Sequence, residues 1–298
     1  MIAFLAPNLR TRLQKIDSKD LEEIRLRLFR PLMIKNRQGY FYVSHGGEPC
    51  RQEHAYFVSQ DDLERTLQII TKNSWYAWEQ EIQGGYLTLP GGHRVGICGQ
   101  AVFEAGSLKT IKYISSLNFR NAKAVVGAAN SIINRVYSDT RKSLLSSLIV
   151  SPPGCGKTTL LRDLTRQLAN KGFQVVVVDE RSEIAASFKG VPQLDVGLQT
   201  DVLDGYNKEI GIHHAIRGLA PEIVVTDEIG HGQDAEILAE LARSGVKVMA
   251  TCHGDSWEQL KTRRWAKDSL YVFELVIILS RRLGPGTIES VLRIDGRA

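Results

Sequence analysis

The stretch SPPGCGKTT, which begins at Ser151, has the residue types and spacing of a loop that binds the phosphates of a nucleotide. In such a loop, backbone N–H groups and the positive end of the following helix surround the phosphates, a lysine contacts them and a hydroxyl ligates Mg²⁺. Here the lysine is Lys157 and the Mg²⁺ ligand is Thr158. The residues that we expect to contact the nucleotide are Pro153, Gly154, Cys155, Gly156, Lys157, Thr158 and Thr159.

Ser151 stands where the pattern G-x-x-x-x-G-K-[ST] has its first glycine. Glycine there mainly permits an unusual backbone angle at the first turn, and Pro152 and Pro153 already restrict that turn. The substitution lies at the entrance of the loop, away from the segment that grips phosphate. Since an apolar strand precedes the loop and a leucine-rich helix follows it, the sequence predicts an intact site.

Two apolar runs end in an aspartate and a glutamate, VVVVDE at Asp179 and Glu180 and IVVTDE at Asp227 and Glu228. One carboxylate of such a pair can hold Mg²⁺ and its water, and the next can polarise the attacking water, which is the Walker B pattern. The later pair precedes a further helix and strand, whereas the earlier pair directly follows the helix of the phosphate loop. We therefore predict Asp227 as a metal ligand and Glu228 as the catalytic base, with Glu180 as the alternative base. The alternative interpretation is that these acidic pairs lie in ordinary solvated loops.

His253 ends the apolar run VKVMATCH. The carboxyl ends of parallel strands meet at one edge of a sheet, so we expect this histidine to lie on the same edge as the carboxylates. A histidine there can sense the γ-phosphate and transmit its loss. A histidine that merely caps a loop is the alternative.

The residues after Leu144 alternate between short apolar runs and amphipathic segments, as strands and helices do in a doubly wound α/β domain with a parallel sheet. The last two runs flank a turn at Gly284 to Gly286 and predict an antiparallel edge. Before Ala122 the pattern differs: a helix near Asp61, which Ser59 can cap, and a hairpin around the Pro-Gly-Gly turn. The sequence thus predicts a smaller α+β domain over residues 1–122 and a P-loop domain over residues 123–298.

Bulk properties exclude several classes of protein. The chain has 298 residues, is 43% hydrophobic and 24% charged, and has no apolar run near the ~20 residues that cross a bilayer. The N-terminus has no basic segment before its apolar start, so we expect no cleaved signal peptide and a cytoplasmic protein without direct membrane insertion. The net charge of +5 is spread along the chain, which predicts no sequence-specific binding to nucleic acid. The four cysteines form no C-x-x-C pair.

Several longer strings resemble the family of stage III sporulation protein AA of spore-forming bacteria, from Leu21 into the last hairpin. They are SPPGCGKTTLLRDL, VVVVDERSEI, LDVGLQTDVLDG, AIRGLAPEIVVTDEIG and VMATCHG, with EEIRLRL and GGHRVGICG ahead of them. Ser151 departs from the usual Gly-Pro-Pro start of that family. The C-terminal half also resembles the traffic ATPases of type II and type IV secretion, which carry an aspartate box, a Walker B motif and a histidine box in this order.

In that resemblance, Asp179 and Glu180 match the aspartate box, Asp227 and Glu228 match Walker B, and His253 matches the histidine box. The resemblance implies a RecA-like domain that binds ATP and Mg²⁺, with the N-terminal domain folded over the nucleotide. It further implies a homo-oligomeric ring, which we expect to be a hexamer.

The same resemblance implies that the protein lies on the mother-cell side of a channel into the forespore and works with membrane-embedded channel proteins. It also implies that arginines of the N-terminal half reach the triphosphate. Arg94, on the predicted hairpin, is the first candidate because a guanidinium matches phosphate oxygens, and Arg27 and Arg120 are further candidates. A solvated surface arginine is the alternative for each of them.

Two other functions compete with this motor. A RecA-like core with a positive net charge also suits an ATP-dependent nucleic-acid-binding protein, although no stripe of basic and aromatic residues is visible along the sequence. A small-metabolite kinase would need an arginine-rich lid and no large N-terminal domain.

Overall fold

The computed structural model describes residues 1–17, 20–138, 142–230 and 232–294. The chain divides into two compact units, Met1–Lys123 and Ala124–Ala298. Each unit has its own sheet, and the two sheets differ in strand direction and in how many of their faces are buried.

In its described residues, the N-terminal unit has seven antiparallel strands in the order β4-β3-β2-β1-β7-β6-β5. The strands are β1 (Glu23–Arg27), β2 (Met33–Asn36), β3 (Gly39–Val43), β4 (Pro49–Cys50), β5 (Tyr86–Leu89), β6 (His93–Glu104) and β7 (Ser107–Arg120). The helices are α1 (Pro7–Leu13), α2 (Gln60–Thr71) and α3 (Glu79–Gln83). Ser59 caps α2 by accepting a hydrogen bond from the backbone N–H of Asp62, as the sequence predicts.

One face of this antiparallel sheet is buried and the other is polar. In β1, Ile24 and Leu26 are buried, whereas Glu23, Arg25 and Arg27 alternate with them on the opposite face. This alternation lets β1, β2, β3, β5, β6 and β7 share one hydrophobic core with the helices.

In its described residues, the C-terminal unit has a seven-stranded sheet in the order β12-β11-β13-β14-β10-β15-β16, in which only β16 is antiparallel to its neighbour. Its strands are β10 (Ser147–Ser151), β11 (Val175–Asp179), β12 (Thr200–Asp204), β13 (Ile223–Thr226), β14 (Lys247–His253), β15 (Leu275–Ser280) and β16 (Thr287–Arg293). A separate two-stranded sheet joins β8 (Tyr137–Ser138) to β9 (Ser143–Leu144).

Helices cover both faces of this sheet. They are α4 (Ile133–Val136), α5 (Lys157–Asn170), α6 (Lys208–Gly218), α7 (Asp234–Arg243), α8 (Trp257–Lys261) and α9 (Arg264–Ser269). Leucines of α5 pack on one face, and Ile212 of α6 and Leu238 of α7 pack on the other. The central strands are buried throughout because both faces are covered. The predicted α/β class, its parallel core and the antiparallel edge are therefore confirmed.

Candidate active site

The phosphate loop connects β10 to α5 at the carboxyl edge of the parallel sheet. Gly154 and Gly156 have φ values of +71° and +92°, which residues with side chains rarely adopt. A Cβ atom on Gly156 would lie 3.2 Å from the backbone nitrogen of Gly286. That nitrogen donates a 2.8 Å hydrogen bond to the carbonyl of Cys155, so the turn of the last hairpin holds the loop in shape.

Ser151 needs no special backbone angle. It is the last residue of β10, it is fully buried, and its hydroxyl donates a 2.7 Å hydrogen bond to the carbonyl of Pro152. The left-handed angles that the loop requires fall at Gly154 and Gly156 instead. A serine at the first position of the pattern is therefore compatible with the shape of the loop.

Lys157 begins α5 and extends back along the loop. Its Nζ lies 3.4 Å from the carbonyl oxygen of Ser151 and 3.1 Å from Nδ1 of His253. Burial lowers the pKa of Lys157, and the nearby carboxylates of Asp227 and Glu228 partly offset this effect. The negative charge of a bound phosphate would stabilise the ammonium form further.

Thr158 and Asp227 are placed to share one cation. The Thr158 hydroxyl lies 3.3 Å from Oδ2 of Asp227, and Oδ1 of Asp227 accepts a short hydrogen bond from Thr251. Burial raises the pKa of Asp227. A divalent cation would reverse that penalty, because it favours the charged carboxylate.

Mg²⁺ fits this donor set. Within the described ranges, no group of three or more His, Cys, Asp or Glu residues could hold a metal ion. Mg²⁺ that serves nucleotides typically takes only one or two protein oxygens and completes its shell with phosphate and water. Thr158 and Asp227 supply such a pair of oxygens.

The backbone of Glu228 is held in a left-handed conformation, with φ at +47°. Its N–H lies 2.9 Å from Oδ1 of Asp227 and 3.0 Å from the Thr251 hydroxyl. Its carbonyl accepts a 3.1 Å hydrogen bond from Nζ of Lys208, which is itself buried against Asp234. Such a conformation costs about 1–3 kcal/mol and persists where its surroundings fix it, as they do here.

His253 contacts two of the other residues that the sequence predicts for the site. Its Nδ1 contacts Lys157, and its Nε2 lies 3.2 Å from Oε1 of Glu228. Lys157 starts the helix after β10, Glu228 follows β13, and His253 ends β14, so three neighbouring strand ends bring the three side chains together.

The earlier acidic pair has a different environment. Asp179 is fully buried and accepts hydrogen bonds of 2.8, 3.0 and 2.8 Å from the backbone N–H groups of Glu183, Ile184 and Ala185. Burial raises its pKa, and these N–H groups partly offset that shift. Glu180 is exposed and lines a small cavity of about 50 Å³. The cavity is also lined by Arg181, Lys208, Asp227 and Glu228.

The candidate arginines of the N-terminal unit lie on the polar face of its sheet. Arg94 is in β6 and pairs across the strands with Arg120 of β7, and Arg27 ends β1. The Arg94 guanidinium lies 4.5 Å from the ring centre of Tyr86. Arg94 thus stands within a regular strand and not in the glycine turn itself, and its predicted role at a triphosphate stays a prediction.

Four further side chains organise the site and were not singled out from the sequence. Arg181, Lys208 and Thr251 contact Glu228, and Arg162 of α5 donates to the carbonyls of Glu183 and Ile184. For Arg181, the available sequence signal is its position directly after the acidic pair Asp179 and Glu180. Nothing in the spacing of the others identifies their partners.

The C-terminal unit has the RecA-like fold that is found in secretion ATPases. The structure aligns with the ATPase DotB of Legionella pneumophila at a TM-score of 0.58 and 14% identity, covering 90% of this chain and 74% of DotB. It aligns with the pilus retraction motor PilT, solved with bound ADP, at a TM-score of 0.54 and 12% identity, covering 87% of this chain and 74% of PilT.

The chain belongs to the family of sporulation stage III protein AA, whose model matches residues 1–298. It is 36% identical over 285 residues to stage III sporulation protein AA of Bacillus subtilis (strain 168), which covers 93% of this chain and 88% of that protein. The predicted family resemblance is therefore confirmed. No helix among the described residues has the length and apolar character that a membrane span requires.

Proposed function

We propose that this protein is a Mg²⁺-dependent ATPase that forms a ring and drives assembly of, or transport through, a sporulation channel. The observation that carries the proposal is the position of His253, which contacts both Lys157 of the phosphate loop and Glu228. One histidine between the phosphate-binding lysine and a strand-terminal carboxylate gives a direct path from the nucleotide to the group that activates water.

Each residue has a role that follows from its position. Lys157 and the N–H groups at the start of α5 would bind the β- and γ-phosphates, and Thr158 and Asp227 would hold Mg²⁺, which neutralises phosphate charge when bound. Glu228 would take a proton from water as that water attacks the γ-phosphorus and the bond to the bridging oxygen of ADP breaks. His253 would exchange its contact with Lys157 for one with the γ-phosphate.

The channel setting is supported by family membership and by the shared fold of secretion ATPases. We infer that the active form is a homo-oligomeric ring, which we expect to be a hexamer. This ring would work on the cytoplasmic, mother-cell side of the membrane and would act through membrane-embedded partner proteins. Mass measurement with and without a non-hydrolysable ATP analogue tests ring formation. A protein that stays monomeric with bound nucleotide would contradict it.

Two variants test the chemistry. Lys157→Ala should abolish nucleotide binding, because it removes the cation that contacts the phosphates. Glu228→Gln should retain binding and lower kcat about 100-fold or more, as loss of a general base does. Titration with a fluorescent ATP analogue measures the first effect and phosphate release measures the second. Unchanged phosphate release in purified Glu228→Gln would move the base to Glu180.

Arg94 is proposed as the additional cation for phosphoryl transfer. Arg94→Ala should keep most of the ATP affinity and lose hydrolysis, whereas loss of a merely structural arginine would lower stability and leave turnover per folded ring unchanged. Mixing inactive Arg94→Ala with inactive Lys157→Ala subunits separates two geometries. Recovered activity in mixed rings means that the arginine serves a neighbouring subunit, and wild-type turnover of Arg94→Ala alone rejects the role.

A further inference from the structure

We propose that Arg181 restrains Glu228 in the nucleotide-free protein and that its guanidinium must leave before Glu228 can accept a proton from water. The inference rests on the proposed ATPase function. It assigns to Arg181 the part of a positioning residue that sets the resting rate.

Both carboxylate oxygens of Glu228 are engaged. Oε2 lies 2.6 Å from Nη1 of Arg181, and Oε1 lies 3.2 Å from Nε2 of His253. A general base must reach the proton of the attacking water within hydrogen-bond distance. The carboxylate therefore has to exchange at least one of these partners before it can act.

The main chain of Glu228 is fixed, so the exchange is confined to side chains. Its N–H is bonded to Asp227 and Thr251, and its carbonyl to Lys208. Because these contacts hold the left-handed backbone of Glu228, the partners of the carboxylate decide whether it is available.

Arg181 is the partner that can move at least cost. Its side chain is 63% exposed, and it borders the small cavity beside Glu228. The loop that carries it is anchored elsewhere, by Asp179 to three backbone N–H groups and by Arg162 to two carbonyls. An exposed ion pair is weak, so separating the Arg181 guanidinium from the Glu228 carboxylate costs little.

The arrival of a triphosphate would change the competition for Arg181. A γ-phosphate carries more negative charge than one carboxylate and offers oxygens that match a guanidinium. Lys157 and His253 would turn to the phosphates at the same time. Glu228 would then lose the contacts that now hold both of its oxygens.

Arg181→Gln tests the restraint, and Arg65→Gln is its control, because Arg65 forms another exposed pair with a carboxylate, that of Asp61 in α2. The Arg65 and Asp61 side chains are 59% and 63% exposed, and the Arg181 and Glu228 side chains are 63% and 31% exposed. We expect Arg181→Gln to raise kcat about two- to fivefold, the size expected from a weak exposed pair, and to raise KM, because the γ-phosphate then lacks the guanidinium that it attracts. Arg65→Gln should leave kcat and KM unchanged. Added salt should accelerate the wild type towards the Arg181→Gln rate and leave that variant unaffected, since screening weakens the pair.

A second measurement does not depend on turnover. In the nucleotide-free protein, the Nε–Hε signal of Arg181 in an NMR spectrum should shift in Glu228→Gln and on addition of Mg²⁺ with a non-hydrolysable ATP analogue. Arg181→Lys, which keeps a positive charge, should have a rate between those of the wild type and Arg181→Gln, and it replaces that variant if Arg181→Gln fails to fold.

The outcomes separate the inference from the function on which it rests. If the wild type hydrolyses ATP in a Glu228-dependent way and Arg181→Gln is equally fast or slower, the restraint is rejected and the ATPase stands. If neither Arg181→Gln nor the wild type hydrolyses ATP although both bind it, the ATPase proposal fails and the restraint fails with it. If the double variant Arg181→Gln, Glu228→Gln is faster than Glu228→Gln alone, the restraint is also rejected, because the carboxylate on which Arg181 is proposed to act is absent from both proteins.

Discussion

An Asp-Glu pair lies at the carboxyl end of each of two neighbouring strands, β11 and β13, and the two pairs have different hydrogen-bond partners. Asp179 accepts hydrogen bonds from three backbone N–H groups, whereas Asp227 accepts from one backbone N–H, that of Glu228, and from the hydroxyls of Thr158 and Thr251. A carboxylate that backbone donors surround shapes a loop. A carboxylate beside hydroxyls keeps lone pairs that a cation can use.

The glutamates differ in the same sense. Glu180 is exposed at the margin of a cavity, whereas the backbone of Glu228 is held in the left-handed region and its side chain contacts His253. The identity of the residue is therefore a poor guide to its role at a strand end. Its hydrogen-bond partners are a better one.

The largest expected effect compares the glutamates. Glu228→Gln should lower kcat about 100-fold or more, and Glu180→Gln should leave kcat near the wild-type value, because of the two glutamates Glu228 is the one linked to Lys157, through His253. Single-turnover phosphate release in the two purified variants checks this difference. A comparable loss in Glu180→Gln would mean that the cavity margin takes part in catalysis, and the contrast would collapse.

The second effect compares the aspartates by stability. Asp179→Asn replaces an acceptor of three backbone hydrogen bonds with an amide that must direct a donor at some of the same N–H groups, which should cost about 1–3 kcal/mol. Asp227→Asn should cost less in the nucleotide-free protein, because its amide oxygen can keep the place of Oδ1 and its amide nitrogen can donate to the Thr158 hydroxyl, which accepts as well as donates. Denaturant unfolding measures both. Mg²⁺-dependent stabilisation by ATP should be lost in Asp227→Asn, and its survival there would place the metal elsewhere.

The smallest effect is the pH dependence of Asp227. Burial raises its pKa above the ordinary value of 3.8, so the folded state binds the proton more tightly than the unfolded state does. The stability that this proton contributes is fully present below pH 3.8 and is lost as the pH rises through the folded pKa. The Tm of Asp227→Asn minus that of the wild type should therefore increase as the pH rises from 3.8. A difference that shrinks over that range would show that the carboxylate is stabilised in its charged form.

Much of the candidate site can be predicted from the sequence. Lys157 and Thr158 follow from a motif with fixed spacing, and Asp227, Glu228 and His253 follow from buried runs whose carboxyl ends meet at one sheet edge. The geometry of Ser151 could also be anticipated, because the residues that need left-handed angles are glycines.

Other elements depend on contacts that spacing does not encode. Arg181 reaches Glu228 because Asp179 and Arg162 fix the loop that carries Arg181. Neither of these contacts leaves a periodic pattern in the sequence. The edge strand β12, TDVLD, has only two apolar residues, so no buried run marks it. In the N-terminal unit, the hairpin predicted around the Pro-Gly-Gly turn is β5–β6, and the longer β6–β7 hairpin that follows is not predicted, because Gly96 and Gly99 interrupt the alternation that would have marked it.

The position of β10 in its sheet also has a consequence for how the chain matures during synthesis. This strand precedes the phosphate loop, yet its two neighbours are β14 and β15, which are about a hundred residues or more further along the chain. The loop can acquire its final shape only after the ribosome has released most of the unit, because the turn that contacts Cys155 comes later still, at Gly286. A nascent chain thus cannot hold the phosphate loop in this shape until the residues up to Gly286 have been synthesised. Chains that end before residue 270 should remain unable to retain ATP, and retention by such a fragment would show that the loop forms without its strand neighbours.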